Sequence, residues 1–143
     1  MFAPRCNFSR NLADFMDDHM SCARAIIYDS IMPWVLDIAK DRGLAGACFF
    51  TMSCGVSAVF RHLGQGLLLR YLYEDDVAVS LPALPQLEKR DLPSFCHVVD
   101  PEQCAVKLLT DQFSNLERAD WVFFNTFDNL ETPVFFFPYN LSL

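Results

Sequence analysis

Three short apolar runs, at residues 25–28, 47–50 and 121–124, alternate along the chain with stretches of helical periodicity. The runs are rich in β-branched and aromatic side chains and carry no charge, which is typical of buried strands. Strands that are apolar on both faces and separated by helices are typical of a parallel sheet covered by helices. The sequence therefore predicts an α/β fold in which the three runs are parallel neighbours in one sheet with helices on both faces.

The helical segments are predicted from apolar residues that recur every three or four positions. They fall at residues 9–20, 31–42, 54–63 and 101–120. Between the third and fourth helices, the prolines at 82, 85 and 93 indicate an extended surface loop. No internal repeat interrupts this order.

Composition limits the classes of partner. The chain has 143 residues, of which 52% are hydrophobic and 20% charged, so a folded domain is expected. A formal net charge of −7 argues against nucleic acid and anionic membrane surfaces, which need Lys and Arg to meet phosphate. The longest uncharged run, residues 43–60, contains glycines and hydroxyl residues. It is therefore interpreted as a strand, a turn and the start of a helix, and no membrane span is expected.

The six cysteines, Cys6, Cys22, Cys48, Cys54, Cys96 and Cys104, lack the short spacings of zinc or redox motifs. The first residues carry no continuous apolar stretch of a secretory signal. We therefore expect reduced, mostly buried thiols and a cytoplasmic location. No metal site is expected.

Polar side chains follow each predicted strand. Asp29, Thr51 and Asn125 lie where the three apolar runs end. Ligands of parallel α/β sheets bind beyond the carboxyl ends of the strands, so this edge is the candidate site. Asp29 has two interpretations: it caps the following helix, or it is a carboxylate that orients a histidine acting as general base. Thr51 and Ser53 are likewise candidates for capping the helix at 54–63.

The histidines do not supply an evident partner for Asp29. His19 and His62 lie on predicted helices and are interpreted as surface residues. His97 follows Cys96, but adjacent residues of an extended segment point to opposite sides. Neither a glycine-rich phosphate loop nor a nucleophile elbow occurs. The residues alone thus predict a parallel α/β domain with a polar strand-end edge.

The chain resembles plant UDP-sugar-dependent glycosyltransferases, especially the branch of plant secondary metabolism that glucosylates small carboxylic acids and phenolics. The resemblance rests on "IIYDSIMPWVLDIAKDRGLAGACFFTMSC", "LPALPQLEKRDLPSF" and "QFSNLERADWVFFNTFDNLE". These stretches cover about residues 22–131 in one consistent order. The resemblance implies part of the N-terminal, acceptor-side Rossmann-like domain of a GT-B enzyme, which transfers a sugar from UDP-sugar with inversion.

The resemblance also implies roles for particular residues. Asp29 matches the carboxylate that balances the charge of a catalytic histidine, and Thr51 matches a contact to the donor sugar. Ile31 and Phe60 match positions that line the acceptor pocket. No cofactor is implied, because the UDP-sugar is a co-substrate, and the implied partners are that sugar donor and a small-molecule acceptor.

The departures from the family pattern lead to further expectations. The loop carrying the catalytic histidine and the nucleotide-binding signature of the second domain are absent from the sequence. Residues 1–131 are expected to form a partial domain, and residues 132–143 an apolar tail outside the family pattern. The isolated chain is therefore expected to be inactive. The alternative is a non-catalytic remnant that binds small molecules or a partner protein.

Overall fold

The computed structural model of the chain describes residues 3–19, 22–68, 71, 78–82, 84–93 and 104–127. The elements in chain order are α1 (Ala3–His19), β1 (Ala25–Asp29), α2 (Trp34–Asp41), β2 (Ala45–Phe50), α3 (Cys54–Gly64), α4 (Cys104–Asp111) and β3 (Trp121–Phe124). Two short 3₁₀ turns lie at Lys89–Asp91 and Leu116–Arg118. The expectations for His97 and for the tail at 132–143 lie outside the described residues.

The three strands form one parallel sheet in the order β1-β2-β3. Ala25 pairs with Ala45 at the start of the first ladder, and Ala47 pairs with Trp121 at the start of the second. The sequence prediction of three parallel neighbours is confirmed. Because helices connect these strands, all three carboxyl ends reach the same edge.

Asp120, the residue before β3, links elements at the edge of the sheet where β2 and β3 begin, opposite the carboxyl ends of the strands. Its Oδ2 accepts the backbone N–H of Gly46 and the ammonium of Lys40, both at 2.6 Å. The Lys40 ammonium and then the Gly46 amide hold the pKa of the Asp120 carboxyl below its usual range. One side chain thus connects the end of α2 with the starts of β2 and β3.

The main core covers one face of the sheet. Its buried members are Tyr28, Val35, Leu36, Cys48, Phe50 and Leu116. At its centre the Phe50 ring stacks on Phe113 and Phe124, with centroid distances of 5.4 and 4.6 Å. Cys54 and Ala58 of α3 pack beside Phe124 on this same face.

The other face of the sheet carries four large apolar side chains that stay exposed. They are Ile27 (69% exposed), Trp121 (53%), Phe123 (45%) and Phe49 (36%). Their positions alternate with the core residues, as the two-residue period of a strand requires. We call these four residues the open face, because the helices of the described residues add their buried side chains to the opposite face. The prediction of helices on both faces is therefore met on one face only within the described residues.

The segment predicted as an extended surface loop instead contributes to a second, smaller core. Its buried residues are Val59, Leu68, Tyr71, Val79, Leu81 and Leu92. Val79 and Leu87 form an antiparallel bridge, and the Tyr71 hydroxyl donates to the Ser80 carbonyl at 3.0 Å. The prolines limit regular strands here, but they leave the apolar residues between them free to pack on α3.

Three predicted helix bounds are wrong. The first helix begins at Ala3 and α2 begins at Trp34. The fourth helix ends at Asp111, where turns and a 3₁₀ segment replace the predicted continuation to residue 120. Gln112 and Asn115, which follow α4, direct their side chains to hydrogen bonds elsewhere in the fold. No helix within the described ranges is long and apolar enough to cross a bilayer.

Candidate active site

The candidate site lies where the three parallel strands end. Asp29 is the last residue of β1, Thr51 follows β2, and Asn125 follows β3. The Asn125 side-chain amide donates to the Thr51 carbonyl at 3.1 Å, and its backbone N–H donates to the Phe50 carbonyl at 3.0 Å. With neighbouring strands about 4.8 Å apart, the structure brings the three polar residues to one edge, as the sequence predicted.

Asp29 does not cap α2. Its Oδ1 accepts the backbone N–H of Ile31 at 3.1 Å, two residues further on and before the helix starts. The N-cap position of α2 is Pro33, which makes no side-chain capping bond. The capping interpretation is therefore wrong, and the residue instead forms a local turn that Asp side chains favour.

The carboxylate of Asp29 keeps capacity for a further partner. It is partly buried, and the bond from Ile31 is the only hydrogen bond that its carboxylate makes within the described residues. Since an ionised carboxylate offers about four acceptor sites, one oxygen is fixed while the other remains available at the strand edge. That arrangement suits a group that orients an imidazole.

Thr51 is also not a helix cap. The N-cap of α3 is Ser53, whose hydroxyl accepts the N–H of Val56 at 3.4 Å. Thr51 is exposed, and the hydrogen bond at this position uses its carbonyl rather than its hydroxyl. The Thr51 hydroxyl makes no hydrogen bond within the described residues. Its contact with a donor sugar stays a prediction.

The two predicted acceptor-pocket residues occupy different environments. Ile31 lies in the turn after Asp29 and is half-buried at the candidate edge. Phe60 lies on α3 and is 2% exposed. Both assignments stay predictions. Because Phe60 is buried, an acceptor would have to enter the packed interior to contact its ring.

Neither histidine of the described residues partners Asp29. His19 is exposed at the end of α1, where its ring stacks on Phe15 with centroids 4.8 Å apart. His62, interpreted from sequence as a surface residue, is 1% exposed, and its Nε2 lies 3.3 Å from the Pro82 carbonyl. Burial lowers the pKa of His62. The described residues also contain no cluster of His, Cys, Asp and Glu that could hold a metal ion.

Sequence reasoning missed two residues that contact the turn after Asp29. Gln112 and Ser30 are both 1% exposed, and the Ser30 hydroxyl donates to Gln112 Oε1 at 2.9 Å. Asn115 donates to the Pro33 carbonyl at 2.8 Å. These pairs are 82 residues apart in sequence, so no local pattern could have indicated them.

Comparison with known proteins identifies the relatives of this chain. No family model matches the sequence. UDP glycosyltransferase 9 from Catharanthus roseus is 48% identical over 112 residues, which are 78% of this chain and 24% of that protein. This chain belongs to the plant UDP-glycosyltransferase family. A mogroside I-E synthase from Siraitia grosvenorii, 42% identical over 127 residues, matches 89% of this chain and 27% of that protein.

Solved structures of plant UDP-glycosyltransferases show the same fold. Os79 from O. sativa in complex with UDP superposes with a TM-score of 0.75 at 21% sequence identity. The match covers 96% of this chain and 33% of that one. The prediction of a partial GT-B fold is confirmed, and the chain spans about a quarter of the length of the curated relatives it matches.

Proposed function

We propose that this protein provides the acceptor side of a UDP-dependent glycosyltransferase. The reaction is inverting transfer of a sugar, with glucose as the donor moiety, to a hydroxyl or carboxylate of a small plant metabolite. The observation that carries the proposal is the position of the Asp29 carboxylate. It lies at the shared strand edge, held on one side by the Ile31 amide and available on the other. Family membership supplies the reaction class.

In this mechanism the acceptor O–H gives its proton to a histidine imidazole, which neither of the two histidines that the structure describes provides beside Asp29. The acceptor oxygen then forms a bond to the anomeric carbon of the sugar while the bond from that carbon to UDP breaks. Asp29 orients the imidazole and stabilises its positive charge once it holds the proton. The fixed orientation of the carboxylate is useful because it avoids reorganisation during the proton transfer.

The remaining assignments follow from the same edge. The Thr51 hydroxyl is proposed to contact a hydroxyl of the donor sugar, and Ile31 and Phe60 to line the acceptor pocket. UDP-sugar and the acceptor are the proposed small-molecule partners, with neither nucleic acid nor membrane involved and the cytoplasm as location. Residues 132–143 are proposed to lie outside the family pattern.

A second candidate is a non-catalytic remnant that binds a small molecule or a partner protein. The observation that favours it is the open face, where Ile27, Phe49, Trp121 and Phe123 stay exposed. Exposed apolar side chains grouped on one face suit the binding of a partner and need no turnover. Both candidates predict that the isolated chain shows no UDP-glucose-dependent transfer, so they must be separated in a longer protein.

A chimera separates the two candidates. The parts of Catharanthus roseus UDP glycosyltransferase 9 outside its match to this chain are joined to the chain, and glucosylation of phenolic and carboxylic acceptors is followed by chromatography. We expect turnover in the chimera. Asp29→Asn should lower kcat by about 10²- to 10⁴-fold, which is the rate enhancement that general-base catalysis usually contributes.

The matched control is Asp41→Asn, which removes an exposed carboxylate at the end of α2. It should retain the activity of the chimera. Full activity of Asp29→Asn with unchanged stability would show that this carboxylate has no catalytic role. A chimera that folds but never turns over would favour the non-catalytic candidate.

A further inference from the structure

The turn between β1 and α2 is held by residues from a distant part of the sequence. At one end of this turn, the Ser30 hydroxyl donates to Gln112 Oε1 at 2.9 Å. At the other end, the Asn115 side-chain amide donates to the Pro33 carbonyl at 2.8 Å. The two contacts bracket Ile31, whose N–H binds the Asp29 carboxylate. The backbone that orients the candidate catalytic group is thus fixed on both sides.

Gln112 is itself held in one orientation. Its Nε2 donates to the Leu109 carbonyl in the last turn of α4 at 2.5 Å, which leaves its Oε1 facing Ser30. Both Gln112 and Ser30 are 1% exposed. A buried polar group that loses its partner carries a desolvation cost, so each side chain strongly favours the geometry that satisfies the other.

The sheet alone does not fix this turn. The Ser30 N–H donates to the Phe49 carbonyl at 2.9 Å and so continues the β1–β2 ladder. Beyond it, the Met32 N–H donates back to the Asp29 carbonyl at 2.9 Å, which closes the turn on itself. These backbone bonds define the shape of the turn, whereas the side chains of Gln112 and Asn115 anchor it to the rest of the fold.

We propose that Gln112 is a positioning residue for the glycosyl-transfer site, acting through Ser30 on the Asp29 carboxylate. By holding Ser30, it keeps the Ile31 N–H in line with Asp29 Oδ1 and so sets the direction of the free carboxylate oxygen. The inference rests on the proposed role of Asp29. Displacement of a catalytic group by about 1 Å costs on the order of 100-fold in rate, so a side chain outside the site can control turnover.

The first test uses the 143-residue chain and amide hydrogen exchange measured by NMR. Gln112→Met keeps the length of the side chain and removes its hydrogen bonds, and Ser30→Ala removes the donor with a minimal change in volume. We expect both variants to speed exchange of the Ile31 and Met32 amides by about tenfold or more, as local opening of the turn predicts. Amides of Ala47 and Cys48 in β2 should change by less than about twofold.

Gln86→Met is the matched control, because Gln86 is an exposed glutamine in the loop. It should leave the exchange of Ile31 unchanged, and Ser30→Thr, which keeps a hydroxyl donor, should restore slower exchange than Ser30→Ala. Uniform acceleration of all amides in the Gln112 and Ser30 variants would mean a purely structural role and overturn the inference. Parental exchange at Ile31 in both variants would overturn it as well.

The second test measures kcat in the active chimera. Gln112→Met and Ser30→Ala should each lower kcat about 10- to 100-fold, and the double variant should lose little more than either single one, because both act on one hydrogen bond. In the Asp29→Asn background, Gln112→Met should cause no further loss. A full additional loss in that background would overturn action through Asp29.

The two proposals fail in different ways. If Asp29→Asn is fully active, the proposed catalytic role fails. If Asp29→Asn is inactive while Gln112→Met keeps the parental kcat, the catalytic role stands and the positioning role fails.

Discussion

At the scale of single residues, burial decides the chemistry of polar and sulfur side chains near the site. Cys48 is 1% exposed, and burial raises the pKa of its thiol to about 12, with the nearby Asp29 charge adding to the effect. Such a thiol stays protonated and unreactive at neutral pH. Cys48 and Cys54 are buried thiols that form no disulfide, as the sequence indicated for most cysteines, whereas Cys22 is exposed.

We expect His62 to make the stability of the protein depend on pH. Its burial lowers the pKa of the imidazole in the folded state, whereas the unfolded chain has the ordinary value of about 6.5. Below that value the unfolded chain binds the proton more readily, so stability is lost as the pH falls from about 6.5 to the lowered pKa, and it is fully present above. We expect a slope of up to about 1.4 kcal/mol per pH unit for this one proton, measured by urea unfolding.

The variant that checks the pH dependence is His62→Gln, which keeps a donor for the Pro82 carbonyl and cannot titrate. It should lose this slope, whereas His19→Gln, at an exposed position of α1, should behave as the parent. Equal slopes in the parent and in His62→Gln would show that another group is responsible.

At the scale of elements, the close packing of α2 on β2 depends on the absence of a side chain at Gly46. A Cβ at this position would collide with Cδ1 of Leu36, a residue that is 0% exposed in the main core. Gly43, after the end of α2, is required for a different reason. Its φ of +68° lies in the left-handed region, although an added Cβ would meet no other group within 4 Å. Gly46 is therefore required by side-chain packing, and Gly43 by its backbone conformation.

Gly46→Ala should destabilise the protein by about 1–3 kcal/mol, since overpacking a filled core has this cost. The addition of Leu36→Ala should relieve the collision, so that the double variant is more stable than the sum of the single effects by about 0.5–3 kcal/mol. Chemical unfolding of the three variants measures this coupling. Gly43→Ala, the control, should show no coupling with Leu36→Ala, and additive effects at Gly46 would contradict the packing argument.

At the scale of the whole molecule, the open face distinguishes this chain from a complete parallel α/β domain. Sheets of this kind are normally covered on both sides, yet Ile27, Phe49, Trp121 and Phe123 are each at least 36% exposed. Large apolar side chains that are exposed together on one face of a sheet promote association. The chain spans about a quarter of its relatives, so further sequence of the family is available to cover this face in a full-length enzyme.

Polar substitutions on the open face should reduce self-association of the 143-residue chain. We expect Trp121→Ser combined with Phe123→Ser to lower the apparent mass in light scattering towards that of a monomer, because the substitutions remove two of the four large apolar side chains. Phe8→Ser is the matched control, since Phe8 is 68% exposed on α1, away from the sheet. If the control lowers the apparent mass equally, or the double variant leaves it unchanged, the surface that causes self-association lies outside the open face.

The sequence by itself determined the sheet and its edge. Apolar runs and helical periods are local signals, and the rule that helical crossovers join parallel strands converts them into a topology. The sequence alone therefore assigns Asp29, Thr51 and Asn125 to one edge. The family resemblance then supplied roles for these positions that periodicity could not.

Only the tertiary structure decided which polar groups hold the site in place. The sequence suggested that Asp29 caps α2, but the path of the turn directs the carboxylate to Ile31 instead. It placed His62 on the surface and the loop near Val79 outside the core, and both are buried. The contact between Ser30 and Gln112 spans 82 residues. Such pairings depend on how the chain returns through space, whereas a sequence pattern reports only what each residue does with its near neighbours.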